Sequence, residues 1–517
     1  FNAIVKELNT NYVDTLPATS LMDKTIDALL YQIDPYTEYF PSDNQEELQT
    51  LVEGKYAGIG STIMKRGKEV IISEPRWDSP SHKAGLRPGD VILAVNGDSI
   101  TEAMSVGDVS KRLRGQAGTD IEIKVKRPYV TDSLLTFRFT RADINVDPLP
   151  YHTVDSDGIG YISLTTFNES SARQVRSAVA EMVEKPGLKG IILDLRGNGG
   201  GLLESAVQLV GNFVPRGTEV LRTRGRSAKD EKVYKTTASP LDINVPLAVL
   251  TNGGTASSSE IVAGSLQDMD RAVVIGSRSY GKGLVQTARP LPFGDIVKVT
   301  TAKYYIPSGR LIQALDYANR NDDGTPRRMP DSLTTEYRTK AGRIVRDGGG
   351  ITPDVEIEQE ATNHLLYNII ADMWAFDFAN RYAATHPAPT DVDARIVTDS
   401  VFEDFKRFID PARFQYDKPC EVGLDYLRKA AEEDGYMNDS VAAQLKVLES
   451  LLKHDLSHDL DINRKRITDV LESEIASRYF NDSDMTRRSL PDDEVFRAAR
   501  AVLLDPARYN ELLSAPK

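Results

Sequence analysis

The chain has 517 residues, 40% of them hydrophobic and 27% charged, with a formal net charge of −13 at pH 7. That length suggests about three or four domains with real cores, and the acidic balance argues against a nucleic-acid surface. One cysteine, Cys420, excludes an internal disulfide framework, and no apolar run approaches the roughly 18 residues that span a bilayer as a helix.

The chain starts Phe1-Asn2-Ala3 without methionine, and the expectation is that an upstream segment, such as a signal peptide, has been removed. Residues 1–54 read as a helical segment. Phe1, Ile4, Val5 and Leu8 have helical spacing, as do Leu21, Ile26, Leu29, Leu30 and Ile33, and Asp34-Pro35 stops the second helix. Residues 55–140 follow a β-rich pattern, with alternation at Ser61 to Met64 and Glu69 to Ser73. The turn Gly58-Ile59-Gly60 precedes them, and the stretch AGLRPGDVILAVNG (84–97) follows. On pattern alone this is a small β-domain, and packing would be sufficient use for it.

Residues 141–358 alternate strands and helices. Gly158 to Leu164 is a strand and Ser171 to Glu184 a helix with Val175, Val179 and Val183 aligned. Lys189 to Leu195 is a buried strand ending in Arg196-Gly197-Asn198-Gly199-Gly200-Gly201, followed by a helix over Leu202 to Val210. A strand, a glycine turn and a helix also open a dinucleotide fold, but the spacing is not GxGxxG and no acidic partner follows. Glycines there let backbone N–H groups approach a developing oxyanion, while Asp194 and Arg196 suit bracing the loop. Pro246 to Leu250 is another buried strand, ending in the turn Asn252-Gly253-Gly254. The hydroxyl cluster Thr255 to Ser259 then runs into the helical pattern Glu260-Ile261-Val262-Ala263.

A serine where a strand gives way to a helix sits among unpaired N–H groups that favour negative charge. An attacking serine also needs a base. None of the six histidines (His82, His152, His364, His386, His454, His458) falls between residues 153 and 363. Lys282, between Gly281 and Gly283 and after the apolar run Ala272 to Ile275, is the nearest alternative. It can act as a base only if burial lowers its pKa from about 10.4 toward neutrality. Against this, serines before helices are mostly caps, and on spacing alone capping is the better account of Ser257, Ser258 and Ser259. The segment Gly276 to Gly283 nearly matches a phosphate loop, but Gly283 stands where the magnesium-binding hydroxyl belongs, a chance match.

After Gln286, Asp295 to Thr301 reads as a strand, and Asp316 to Pro330 as an exposed polar loop. Residues 359–517 repeat amphipathic helical patterns, for example Val441, Leu445, Leu448 and Leu452. His454 and His458 are i,i+4 neighbours without the glutamate of HExxH, so they read as surface histidines, and no metal site is expected.

The segments TASSSEIVAG (255–264) and GSRSYGKGLVQ (276–286) resemble the active-site segments of the carboxyl-terminal processing peptidases, serine proteases with a Ser-Lys dyad and a PDZ domain. In that family the nucleophile is the first serine after the alanine, the lysine lies 25 residues later and an orienting glutamine four beyond it. The resemblance therefore implies Ser257 as nucleophile, Lys282 as general base and Gln286 as the group that orients it. DLRGNGGGLL (194–203) resembles the family's oxyanion loop, which implies the N–H groups of Gly201 and Ser258 as donors. AGLRPGDVILAVNG resembles the most recognisable segment of PDZ domains, which add a peptide to a sheet edge and hold its carboxylate on backbone N–H groups; Gly58, Ile59 and Gly60 would supply them. LLYQIDPYTEYFPSDNQEEL (29–48) is similar to the family's N-terminal helical segment, whereas residues 359–517 carry little resemblance.

The implied protein is an α/β protease core of crotonase/ClpP type (141–358) with an inserted PDZ β-domain (55–140), an N-terminal helical segment (1–54) and a C-terminal α-helical domain (359–517). It would be a serine endopeptidase that recognises the free C-terminus of a protein substrate and cleaves near it. No cofactor, metal or nucleic acid is expected. The bacterial periplasm or cell envelope is the implied location, an envelope adaptor and a homo-oligomer through the helical regions the further partners. The helical domain is equally open to gating the site or holding substrate. Two other classes stay open: an inactive PDZ peptide-binding scaffold, which the intact Ser257, Lys282 and Gln286 disfavour, and a crotonase-like acyl-CoA enzyme, which gives no reason for a PDZ domain.

Overall fold

The computed structural model describes residues 2–14, 16, 18–42, 45–241, 244–358 and 362–515. It divides into two compact units, Phe1–Tyr56 with Asn145–Gln359 and Leu490–Lys517, and Ala57–Ile144 with Glu360–Ser489.

The first unit is organised by a six-stranded sheet in the order Tyr151–Val154, Ile159–Ser163, Gly190–Asp194, Leu247–Thr251, Val273–Gly276 and Val355–Glu356. Only the first pairing is antiparallel. Alternation assigns the side chains to two faces. Ile191, Leu193, Leu247 and Val249 join one core with Val175 and Val179 of the Ser171–Val183 helix, Leu209 of Leu203–Val210 and Val262 of Ser258–Asp268. Ile192, Ala248, Leu250 and Ile275 form the other core with Val495, Ala499, Val502 and Leu503 of the Glu494–Leu504 helix. Both faces being covered explains why these strands read as continuous apolar runs. The chain's last helices thus return to the sheet, and Tyr509 accepts the Leu247 N–H at 2.9 Å.

A second, antiparallel sheet carries the Ile296–Tyr305 strand, which pairs with Leu284–Pro290, Glu219–Gly225 and Glu38–Phe40. The residue 1–50 segment therefore is not helical throughout. Helices Asn2–Asn11, Ala18–Tyr31 and Glu46–Glu53 are interrupted by the Glu38–Phe40 strand, because the Ile296–Lys298 edge offers it a hydrogen-bonding partner that helical periodicity cannot reveal. Phe1, part of the first helical pattern, lies outside the described residues. The polar stretch after Ala314 also differs from the expected loop: Leu315–Arg320 and Pro326–Arg328 form an exposed hairpin closed by a turn in which Asp323 accepts from Thr325.

In the second unit, strands Ser61–Arg66, Glu69–Pro75, Val91–Val95, Asp120–Lys126 and Leu134–Thr140 make a sheet whose core includes Ile72, Ile92, Val109, Leu113 and Ile123. Ser61–Arg66 is its edge strand, and the Val106–Leu113 helix lies beside it. The GLRPGD turn is held by buried Asp90, which accepts the Arg87 N–H and pairs with Arg127 at 2.7 Å. Residues 364–489 form helices around a core that includes Phe378, Phe402, Phe405, Ile467 and Leu471. His454 is half-buried rather than fully exposed. Its Nδ1 lies 2.7 Å from Asp459, which also accepts the Tyr416 hydroxyl, and its Nε2 is buried. Among the described residues no helix is long and apolar enough to cross a membrane.

Candidate active site

The Leu247–Thr251 strand delivers the chain to a turn that the hydroxyl cluster welds to the glycine loop after Asp194. Asn252 Oδ1 accepts the N–H groups of Gly254 and Gly197. Thr255 Oγ1 donates to Leu195 O at 2.9 Å, Ser259 Oγ to Asn198 O at 2.8 Å and Ser258 Oγ to Gly201 O at 2.9 Å. These three hydroxyls are therefore cross-links between two loops rather than helix caps, whereas Ser257 does stand at the N-cap of the Ser258–Asp268 helix, its N–H accepted by Glu260 in the capping-box arrangement. Ser257 has φ 56° and ψ −116°, a backbone conformation that costs an L-residue on the order of 1–3 kcal/mol. Such a strand-to-helix turn thrusts a serine hydroxyl out of the fold, and the Ser258–Asp268 helix starts immediately after it.

The glycine loop lies against this turn. A β-carbon at Gly200 would come within 2.8 Å of Ser257 Cβ, and one at Gly201 (φ 144°) within 2.1 Å of Phe167 O, so neither position admits a side chain. Gly201 forms a parallel bridge with Phe167, whose bonds run through Gly200 O and Leu202 N. The peptide groups of Gly201 itself consequently face the other side, where Ser258 Oγ finds the carbonyl. The N–H groups of Gly201 and Ser258 thus belong to two segments fastened to each other. Asp194 and Arg196 brace the loop from behind. Arg196 bridges Asp194 and Asp493, each at 2.6 Å, and the Tyr161 hydroxyl donates to Asp194.

Lys282 reaches the site on the loop after the Val273–Gly276 strand. Two buried side chains tie its backbone to that of Ser257, although among the described residues no hydrogen bond joins the Lys282 amine to the Ser257 hydroxyl. The Glu260 carboxylate, fully buried, accepts the N–H of Ser257 at 2.9 Å and of Lys282 at 2.8 Å through Oε2. Through Oε1 it accepts the Gly281 N–H at 2.7 Å and the Ser279 hydroxyl at 2.5 Å. The Tyr304 hydroxyl faces the carbonyls of Ser257 at 3.2 Å and Lys282 at 2.8 Å. The resemblance of this loop to a phosphate loop has a physical core: its N–H groups do cradle an anion, but the anion is Glu260. Burial pushes the Glu260 carboxyl up, and its four donors offset only part of that rise.

The Lys282 amine has no hydrogen bond or ion pair among the described residues and lies over the ring of Tyr36, 4.1 Å from its centroid. Burial, with a smaller push from Lys298, lowers its pKa to about 8, against weaker opposing pulls from Glu38, Asp34 and Glu260. That is the direction a lysine base needs. Gln286 lies on the adjoining Leu284–Pro290 strand, but its Nε2 donates to Thr300 Oγ1 at 3.1 Å rather than addressing the amine. In the other unit, Gly60 (φ 78°) leaves no room for a side chain, since a β-carbon would lie 2.3 Å from Ser79 Cβ. The carbonyls of Ile59 and Gly60 accept Ser81 N and Arg76 N, which leaves this turn poised at the start of the edge strand.

Glu260, Tyr304 and Tyr36 escape a reading of spacing. Glu260 had a visible signal, since serine with glutamate three residues on is the capping-box spacing; the tyrosines had none.

The model of peptidase family S41 matches residues 158–318, a PDZ-domain model residues 71–127, and that of a probable PDZ-protease C-terminal helical domain residues 365–503. The helical region, where the sequence resembled the family least, is thus matched as well. The chain is 35% identical over 318 residues to a carboxy-terminal-processing protease of Bartonella bacilliformis, covering 61% of this chain and 72% of that one. It is 31% identical over 385 residues to the carboxy-terminal processing protease CtpA of Bacillus subtilis, covering 73% and 79%. A solved photosystem II D1 C-terminal processing protease is 27% identical with a TM-score of 0.38, covering 69% of this chain and 92% of that one. On this sequence, spanning core, PDZ domain and helical domain, the chain belongs to peptidase family S41 and is a serine-type peptidase of the carboxyl-terminal processing group.

Proposed function

We propose that Ser257 is the nucleophile and Lys282 the general base of this peptidase. One observation carries the reading: a serine on a strained turn shares two bridging side chains with a lysine whose pKa burial lowers to about 8. Ser257 Oγ attacks the peptide carbonyl as its proton passes to Lys282 Nζ, giving a tetrahedral oxyanion held by the N–H groups of Gly201 and Ser258. The ammonium then protonates the departing amine, the C–N bond breaks and an acyl-enzyme remains. Water attacks the ester with Lys282 as base again, releasing the new carboxylate and restoring Ser257. Gln286 orients the amine during this cycle, which requires it to exchange Thr300 for Lys282. The same serine on a covered α/β sheet with paired N–H donors supports a crotonase/ClpP-type core.

A fluorophosphonate probe tests the nucleophile, and the expected adduct is on Ser257 alone. Because only the neutral amine accepts a proton, kcat/KM should climb with pH, roughly tenfold per unit below the pKa of about 8, and level off above it. A flat profile from pH 6 to 9 contradicts a lysine base.

The PDZ domain binds peptide, and we take the ligand to be the substrate's C-terminal segment. It would add to the exposed Ser61–Arg66 edge, its carboxylate on the N–H groups of Gly58, Ile59 and Gly60. Amidating a substrate peptide's C-terminus should weaken its binding about tenfold or more, measured by calorimetry on the Ser257→Ala protein; equal affinities reject carboxylate capture. We further propose a location in the bacterial cell envelope, with an adaptor protein and a homo-oligomer through the helical regions as partners; fractionation and sedimentation test these points.

A further inference from the structure

We propose that Tyr36 is a positioning residue for the Lys282 amine, its ring forming the wall that keeps water from the nitrogen and aims it into the site. This rests on the reading of Lys282 as base. Tyr36 comes from the DPYT turn, which precedes the Glu38–Phe40 strand and lies far upstream of the Ser257 turn and the Lys282 loop. Four observations carry the assignment.

First, the ring is the amine's neighbour: Nζ lies 4.1 Å from the ring centroid, and no hydrogen bond or ion pair to Nζ is present among the described residues. Second, the ring is held at its far end. Its hydroxyl lies 3.1 Å from the Tyr317 hydroxyl and 3.4 Å from that of Tyr280, with Tyr317 edge-on at 5.8 Å. Third, the turn beneath it is built. Asp34, 4% exposed, accepts the N–H groups of Tyr36 at 2.8 Å and Thr37 at 2.7 Å and the Thr37 hydroxyl at 3.1 Å. Fourth, the same turn reaches Gln286. Thr37 Oγ1 accepts the Thr300 N–H at 3.3 Å, and Thr300 Oγ1 accepts Gln286 Nε2. One turn thus carries the lysine's cover and, through Thr37 and Thr300, a hold on the glutamine beside it.

The charged groups around the amine set the sign. Lys298, paired with Glu38, pushes its pKa down, whereas Glu38, Asp34 and Glu260 pull it up. The phenols of Tyr36 and Tyr317 stay neutral, since burial raises both. The ring itself acts in two senses. Its π face favours the ammonium, but the water it excludes would favour it more, and burial is the largest cause of the lowered value. Removing the ring should therefore raise the pKa.

The test is the pH dependence of kcat/KM. In Tyr36→Ala the rising limb should move up by more than one pH unit, so that activity at pH 7 falls tenfold or more and recovers at high pH. Tyr36→Phe, which keeps the ring, should hold the limb at its wild-type position. Tyr36→Leu, which fills part of the space, serves where the alanine variant does not fold and should shift the limb the same way by less. A limb at the wild-type pH in the folded Ala or Leu variant overturns the assignment, as does an equal shift in Tyr36→Phe. Failure of the base reading is distinct: it appears in the wild type, as a missing limb near pH 8, or in Lys282→Ala as retained activity, and it overturns both.

Discussion

Ser257→Ala and Lys282→Ala are each expected to lower kcat for cleavage of an unfolded protein by about ten-thousand-fold or more, with KM changed little. Neither side chain cross-links two segments by a hydrogen bond or ion pair among the described residues. The Ser257 position is anchored by its backbone, through Glu260 and Tyr304, and both contacts survive truncation to alanine. The Lys282 amine makes no hydrogen bond or ion pair among the described residues, and its N–H and carbonyl keep their partners. Thermal unfolding of both variants should therefore stay near that of the wild type. The double variant should be no slower than either single one, because residues acting as one unit lose their whole contribution at the first deletion. Substantial activity in either single variant, or losses that multiply in the double one, would falsify the pairing.

Glu260→Gln is expected to be less damaging to kcat but costly to stability, for a different reason. The wild-type carboxylate meets four donors and no acceptor is required of it. An amide must present N–H₂ where one oxygen stood, so at this fully buried position it confronts backbone N–H groups with another donor. Breaking a buried charge-assisted network in this way costs on the order of 3–5 kcal/mol. The urea midpoint should fall, and kcat should drop about a hundredfold or more, because the Ser257 turn and the Lys282 loop lose the group that spaces them. The pH profile separates this from the effect of Tyr36. Removing a negative charge that favours the ammonium should move the rising limb down, not up. A Glu260→Gln enzyme of wild-type stability and rate would show that the bridge is dispensable.

The two variants bear on how much of the site the sequence displayed. Local strings made Ser257 and Lys282 candidates, a small-residue turn after an apolar strand and a lysine between glycines after another, but spacing alone favours capping, and only the resemblance to the family's segments selects them. The capping account of Ser257, Ser258 and Ser259 holds for Ser257, which is the N-cap, and fails for the other two, because the three-dimensional path of the Asp194–Gly201 loop gives Ser258 and Ser259 carbonyls to bind instead. Glu260 announced itself only as a capping-box glutamate, and its bonds to Ser279, Gly281 and Lys282 required the lysine loop to fold over the helix start. The Glu38–Phe40 strand was hidden because an edge strand of three residues has too few positions to display a period.

What the chain's residues determined alone were the elements whose signal is local. They are the buried strands Gly190–Asp194 and Leu247–Thr251, the helices with aligned valines, and the GLRPGD turn of the β-domain. Burial on one or both faces writes a period of 2 or 3.6, or an unbroken apolar run, directly into consecutive residues. Tertiary structure alone decided that the Glu494–Leu504 and Pro506–Leu512 helices close the second face of the sheet and that Tyr36, 244 residues before Tyr280, roofs the lysine. A contact between distant residues depends on where the chain returns in space, and that leaves no periodic mark on either partner.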